Sequence, residues 1–280
     1  MPFTPIRHVQ AEKIFKEINT LGSGPLLVMG NDGNTYFCKT TLGQPCVELI
    51  NEILVANFAR CFGLKVPELA LVKISRQIAD LFVNEIGPFS PRYTKTDFDN
   101  SIFFGSERNG TATELEQYIQ RICGKIEFRS FENPTDLIKI GVIDLWVGNK
   151  DRKRENPNIL ITANEKGKLN FEPIDHTAAF SFCTNHKEVT PPLLFLEEKF
   201  RILNTPLIKS IASFARDKLD SLAEEITQGI NNTLENLDWI FDQVPKDWGF
   251  SKKAKIHLKA ILSDKERNEQ IAKSYISYLE

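Results

Sequence analysis

The sequence predicts an α+β fold in two lobes, a small antiparallel-sheet lobe over residues 1–106 and a helical lobe over residues 107–280. Three observations predict it. Short apolar segments separated by Gly- and Asn-containing turns fill the first third of the chain. An almost wholly apolar helical stretch then runs into a polar loop and a hairpin, and amphipathic helical patterns fill the remainder.

In the first lobe, residues 11–20 are expected to form a short helix ending near Leu21. Gly22-Ser23-Gly24-Pro25 follows, then Leu26-Leu27-Val28-Met29, the turn Gly30-Asn31-Asp32-Gly33-Asn34, and Thr35-Tyr36-Phe37-Cys38-Lys39. An Asn-Asp-Gly turn between two apolar segments predicts a hairpin. Glycines in the loop before it would let backbone N–H groups approach an anion, and Lys39 at the strand end could sit on the α/β-phosphates of ATP. By itself Gly-Ser-Gly-Pro is only a turn. Val47 to Phe62 carries Val47, Ile50, Leu54, Phe58 and Cys61 at helical spacing, with Gly63 as its stop. Glu48 and Glu52 lie on a neighbouring face, and either could fix the Lys39 ammonium.

Strands are expected at Leu69–Ile74, Leu81–Ile86 and Ile102–Glu107, with a polar, proline-containing insertion between Gly87 and Asn100. The last of these strands would lead into a hinge. Adenine would hydrogen-bond backbone groups there, which makes Phe104, Gly105 and Glu107 nucleotide-binding candidates.

In the second lobe, helices are expected at Glu114–Cys123 and Thr135–Val147. The latter is apolar nearly all round and should be a buried central helix. It delivers the chain to Gly148-Asn149-Lys150-Asp151, and a rigid helix under a loop is what positioning a base requires. The loop carries Asp151, Asn156 and Asn158 into a strand, Ile159–Thr162. The turn Asn164-Glu165-Lys166-Gly167 reverses the chain into Leu169–Ile174, which ends at Asp175. A hairpin brings its two ends together, so Asp151 and the asparagines should lie near Asp175. One acid for a hydroxyl proton, an amide oxygen and a second carboxylate for magnesium are the set that phosphoryl transfer needs. Asp and Asn are also ordinary turn residues, so the spacing alone is weak and the return strand ending Ile-Asp-His strengthens it. Helices are further expected at Pro192–Leu203, Pro206–Phe214, Lys218–Gln228, Asn231–Gln243 and Ser251–Leu262, with the same pattern continuing to Tyr278.

Bulk properties narrow the classes. A 280-residue chain with 41% hydrophobic and 26% charged residues is ordinary for a folded protein with a substantial core. A formal net charge of −2 argues against non-specific nucleic-acid or membrane binding. It leaves room for a local basic patch at Lys150, Arg152, Lys153 and Arg154. No apolar run is long enough to span a bilayer, and the N-terminus lacks a secretion signal's apolar core. The five scattered cysteines form no Cys-x-x-Cys pair, which points to reduced thiols, no zinc site and a cytoplasmic compartment. No Walker lysine motif is present.

With these pieces in order, the chain resembles the HipA-like kinases, in a short form without the separate N-terminal accessory domain. The residues that carry the resemblance begin with Gly22-Ser23-Gly24-Pro25, Lys39 after Tyr36-Phe37-Cys38, and Asn51-Glu52 in a helix ending Gly63-Leu64-Lys65-Val66-Pro67-Glu68. They continue with Phe104-Gly105-Ser106, Gly148-Asn149-Lys150-Asp151-Arg152-Lys153 with Asn156-Pro157-Asn158, and Ile174-Asp175-His176. The resemblance implies a two-lobed, protein-kinase-like fold using ATP and Mg2+. It implies Lys39 on the α/β-phosphates, Glu52 orienting it, Asp151 accepting the hydroxyl proton and Asp175 holding magnesium. Asn156 has the family's spacing from Asp151 and Asn158 its adjacency to the strand; Asn156 is preferred. Where many relatives have histidine two residues after the catalytic aspartate, this chain has Lys153, and Thr177 stands where they have glycine. His176 is read as a structural hydrogen-bonding residue.

The function expected is phosphorylation of Ser or Thr on a protein substrate, as a toxin or a regulatory enzyme with an antitoxin or regulator as partner. Two alternatives are a phosphatidylinositol or small-molecule kinase, and a nucleotide-binding interaction module with little or no transfer.

Overall fold

The computed structural model describes residues 4–19, 24–41, 45–190 and 201–274. The chain divides into two units, residues 1–49 with 67–110, and residues 50–66 with 111–280. Helix α1 (Val47–Cys61) belongs to the second unit from Ile50 onward.

In the first unit β1 (Arg7–Glu17), β2 (Leu26–Gly30), β3 (Thr35–Lys39), β4 (Leu69–Lys73) and β5 (Ile102–Glu107) close into a barrel in the order β1-β2-β3-β5-β4. The expected hairpin is β2–β3, in the register Leu26↔Cys38 to Met29↔Thr35. The sheet is not purely antiparallel, because β1 runs parallel to β4 with Arg7 opposite Ala70.

Two elements differ from expectation here. Residues 11–20 are not a helix: β1 runs through Glu17 and bulges between Ala11 and Lys13 and between Ile14 and Lys16. The bulges break the two-residue alternation, so Val9 and Ile14 both face the core five positions apart. Pairing on both edges then outweighs the helix-favouring Ala, Glu and Lys content. The expected strand Leu81–Ile86 is instead the second half of α2 (Arg76–Glu85). Its N-cap Ser75 Oγ accepts from Ile78 N at 3.3 Å, and only Ala79 and Phe82 are buried, at helical spacing. The insertion after Gly87 has a core of its own, in which Phe89 stacks on Phe82 at 4.7 Å and on Phe98 at 5.3 Å.

The second unit is built on helices. After β6 (Thr113–Glu114) and the short α3 (Lys125–Ser130) comes α4 (Asp136–Val147), in which every residue is buried. β7 (Ile159–Ala163) and β8 (Leu169–Pro173) form the expected hairpin, and β6 adds a third strand against β7. The expected helix Glu114–Cys123 is absent. Glu114 pairs with Leu160 in that sheet and only a 3-10 turn, Leu115–Gln117, follows. Leu115 and Ile119 are buried but Ile122 is 79% exposed, so the apolar stripe is too short to hold a helix.

One turn, α5 (Ala179–Phe182), follows the hairpin, and then α6 (Pro206–Phe214), α7 (Leu219–Glu235), α8 (Leu237–Asp242), α9 (Lys252–Leu262) and α10 (Lys265–Ser274). Most of the expected Pro192–Leu203 helix lies outside the described residues; Ile202–Asn204 is a 3-10 turn. α7 is longer than expected because Gly229 does not stop it. That glycine is a close approach, where a Cβ would sit 2.6 Å from Phe62 Cγ. No described helix is long and apolar enough to cross a membrane.

Candidate active site

α4 ends at Gly148, whose φ of 62° and ψ of 40° are a left-handed cap that glycine adopts without strain. Asn149 N closes the cap on Asp144 O at 2.8 Å, and the loop is then fixed from within. Asn149 Nδ2 donates to Asp144 Oδ1 at 3.1 Å, and Asn149 Oδ1 accepts from Asp151 N at 3.2 Å. Lys153 and Asn156 exchange backbone hydrogen bonds of 3.2 and 3.1 Å, closing a tight turn. That turn delivers Asn156 Nδ2 to Asp151 Oδ2 at 2.8 Å.

The hairpin brings the second carboxylate back. Ile159 is opposite Pro173, and Ile174 N donates to Asn158 O at 2.9 Å. Asn158 (φ 46°) and Asp175 (φ 54°) are both left-handed, a conformation Asn and Asp tolerate better than other L-residues. Asp175 Oδ1 accepts from Thr177 Oγ1 at 2.9 Å.

Arg152, expected in an exposed basic patch, is instead fully buried. Its Nε lies 2.9 Å from Asp144 Oδ2 and 3.0 Å from Oδ1. Nη1 donates to Pro157 O at 2.9 Å and to Asn158 O. Nη2 donates to Ile174 O and to His176 Nδ1, each at 3.1 Å. A guanidinium only donates, so His176 Nδ1 is the acceptor and carries no proton. Burial pushes the Asp144 carboxyl up to about 6, and Arg152 and Asn149 limit the rise. The signal for this ion pair was in the sequence: Asp144 sits in the apolar run Val142-Ile143-Asp144-Leu145-Trp146 of a buried helix, and a carboxylate so placed needs a partner.

α1 holds the segment beyond Asp175. Glu52, 2% exposed, accepts from His176 N at 2.9 Å through Oε2. Asn51 Nδ2 donates to Thr177 O at 2.9 Å and Ala179 O at 3.1 Å, while its Oδ1 lies 2.7 Å from His186 Nε2. Since Asn51 Oδ1 accepts, His186 carries its proton on Nε2, and burial pushes its pKa down to about 4. Phe180, Ser181 and Phe182 are consecutive left-handed residues. Ser181 N donates to Gly148 O at 3.0 Å, tying this turn to the cap of α4.

The structure therefore gathers Glu52, Asp151, Asn156, Asn158 and Asp175 around one loop and hairpin of the second unit. The remaining candidates lie in the first unit. Lys39, 9% exposed, ends β3 and is paired with Phe104 across the sheet. Gly105 packs so closely that a Cβ would meet Val72 Cγ2 at 2.7 Å. Glu107 Oε2 accepts from Arg7 Nη2 at 2.6 Å. β5 is paired on both edges, and the Glu107 and Arg108 N–H groups donate to Glu68 O and Thr35 O, so these donors are engaged within the barrel. Gly24 has a φ of 50°, and its carbonyl accepts from Tyr93 Oη at 2.8 Å. Gly22 and Ser23 lie outside the described residues.

A mixed α+β architecture whose buried helix feeds an Asp-Asn loop and an Asp-terminated hairpin defines a kinase-like fold. The chain belongs to the HipA-like kinase family, whose model matches residues 11–273. It is similar in structure to CtkA, a Helicobacter pylori proinflammatory kinase, with a TM-score of 0.55 and 15% identity over 98% of this chain and 99% of that one. At that identity the likeness shows the fold. A second likeness, to the open conformation of CtTel1, has a TM-score of 0.35 and 13% identity, and covers 91% of this chain but 11% of that one. No curated protein matches the sequence.

Proposed function

We propose that this kinase transfers the γ-phosphoryl group of ATP, with magnesium, to a Ser or Thr hydroxyl of a protein, acting as a toxin or a regulatory enzyme. The observation that carries the reading is the Asp151–Asn156 hydrogen bond in a loop whose next residue, Arg152, is bonded to Ile174 and His176 on either side of Asp175.

Asp151 is the group for the acceptor's proton. Its Oδ2 is held by Asn156, its backbone N–H by Asn149, and it remains half-buried. Spending the Asn156 amide nitrogen on Asp151 turns the amide oxygen away from it. That oxygen and the Asp175 carboxylate would be the residues that hold magnesium, both being hard oxygen donors of the kind that ion prefers. No group of three or more His, Cys, Asp or Glu side chains among the described residues could hold a metal. When bound, magnesium would neutralise charge on the transferring phosphate. Lys39 would supply a cation for the α/β-phosphates, as the resemblance implies.

The protein incubated with labelled ATP, magnesium and a cell lysate should place label in a protein band on Ser or Thr. Label in lipid, or nucleotide binding without transfer, would overturn this reading.

A further inference from the structure

We infer that Asp144 and Arg152 are a positioning pair that sets the spacing between the proton-accepting loop and the metal-holding strand end, an inference that rests on the function proposed above. Arg152 is well placed for this. It follows Asp151 directly in sequence, and its guanidinium touches four separate pieces of the site. These are the last turn of α4 through Asp144, the loop through Pro157 and Asn158, the end of the hairpin through Ile174, and His176 beyond Asp175. Every one of these groups is an acceptor, and only a planar fork with five N–H donors can serve them together.

Asp144 fixes the other side. Its carboxylate binds Arg152 on one side of Asp151 and Asn149 on the other, and Asn149 returns to Asp151 N. Asp151 is thus suspended between two groups that both answer to one carboxylate on a helix buried along its whole length. Neither Asp144 nor Arg152 is exposed enough to meet a nucleotide, with side-chain exposures of 7% and 0%. Any effect on phosphoryl transfer must therefore pass through Asp151, Asn158 and Asp175.

A buried ion pair also contributes to stability, so the test has to separate positioning from folding. Removing one partner strands the other's charge, whereas replacing both with apolar residues of similar volume is often tolerated. The informative protein is the double variant Asp144→Leu/Arg152→Met, beside the single variants Arg152→Lys and Asp144→Asn. Each is assayed for thermal unfolding, for Mn2+ affinity in the presence of a non-hydrolysable ATP analogue, and for transfer of γ-label from ATP to protein in a cell lysate.

The double variant is expected to unfold near the wild-type temperature. Its Mn2+ affinity should fall about 10- to 100-fold, as for other partners that orient ligands from behind, and label transfer to protein should fall about 100-fold, the cost of a displacement near 1 Å. Arg152→Lys, which keeps the charge and loses the fork, should show the same losses. A double variant that recovers wild-type Mn2+ affinity and turnover along with its stability would overturn the proposal and leave the pair a folding element. Wild-type protein that binds Mn2+ and the analogue without labelling protein would count against the transfer reading, while the Mn2+ comparison would still decide the role of the pair. Wild-type protein that binds neither would sink both.

Discussion

Asn156 Nδ2 donates to Asp151 Oδ2 at 2.8 Å, inside a turn closed by two backbone hydrogen bonds between Lys153 and Asn156. The acid and the amide are therefore one unit. Replacing Asp151 with Asn removes the proton acceptor without removing bulk, so transfer should fall by about 10²- to 10⁴-fold, the usual contribution of a positioned base. Nucleotide affinity should stay within a few-fold of wild type. Transfer of γ-label to protein and titration with a fluorescent ATP analogue check the two halves, and normal transfer would remove Asp151 from the mechanism.

Asn158 offers a second, sharper test, because Asn156 and Asn158 are both candidates for the proposed metal. Its backbone is left-handed and its carbonyl already accepts from Ile174 N and Arg152. Its side-chain amide nitrogen is buried without a hydrogen-bond partner among the described residues. Asn158→Gly relieves backbone strain and should keep both fold and Mn2+ affinity, whereas Asn156→Ala should lower Mn2+ affinity about tenfold or more. Asn158→Val should cost about 1–2 kcal/mol of stability, since a branched residue fits the left-handed region poorly. The opposite ranking of Mn2+ affinities would make Asn158 the ligand.

The loop and hairpin were legible in the sequence because the information there is local. An apolar helix, a left-handed glycine and a four-residue reversal each follow from neighbours in the chain. β1, α2 and the segment after Thr113 were less legible, each for a separate reason. β1 owes its state to partners on two other strands and to bulges that disguise its period. In α2 the run Leu81-Phe82-Val83 looks like a strand, yet only Phe82 of the three is buried. Glu114 is drawn into a sheet by Leu160, nearly fifty residues away. The burial of Arg152 was less legible because charge type says nothing about burial, and it follows from pairing with Asp144.

Gly141 tests how tightly the helix beneath the loop is packed. A Cβ there would lie 2.6 Å from both Cγ and Cδ2 of Leu203. Alanine in a helix interior ordinarily adds about 1 kcal/mol over glycine. Overpacking costs about 1–3 kcal/mol, and Leu203 is itself fully buried with little room to retreat. The clash should win, so Gly141→Ala should lower the urea midpoint. A raised midpoint would mean that Leu203 moves freely.

His186 gives the fold a predicted acid sensitivity. It is 1% exposed, packed edge-on against Phe180 and Phe250 at 5.7 and 5.3 Å, and bonded to the same Asn51 that holds Thr177 and Ala179. Burial lowers its pKa from 6.5 to about 4, so across that interval the unfolded chain binds a proton that the folded protein refuses. The stability contributed by the neutral ring is fully present above pH 6.5 and is lost as the pH falls toward 4. At about 1.4 kcal/mol for each pH unit, the loss approaches roughly 3 kcal/mol by the lower end. His186→Gln keeps an N–H donor for Asn51 and has nothing to titrate. Urea unfolding at about pH 7.5 and about pH 5 should therefore show wild type losing roughly 2 kcal/mol more than the variant between the two conditions. Equal losses would mean that the folded protein protonates His186 as readily as the unfolded chain does, and that the Asn51 contact survives on a charged ring.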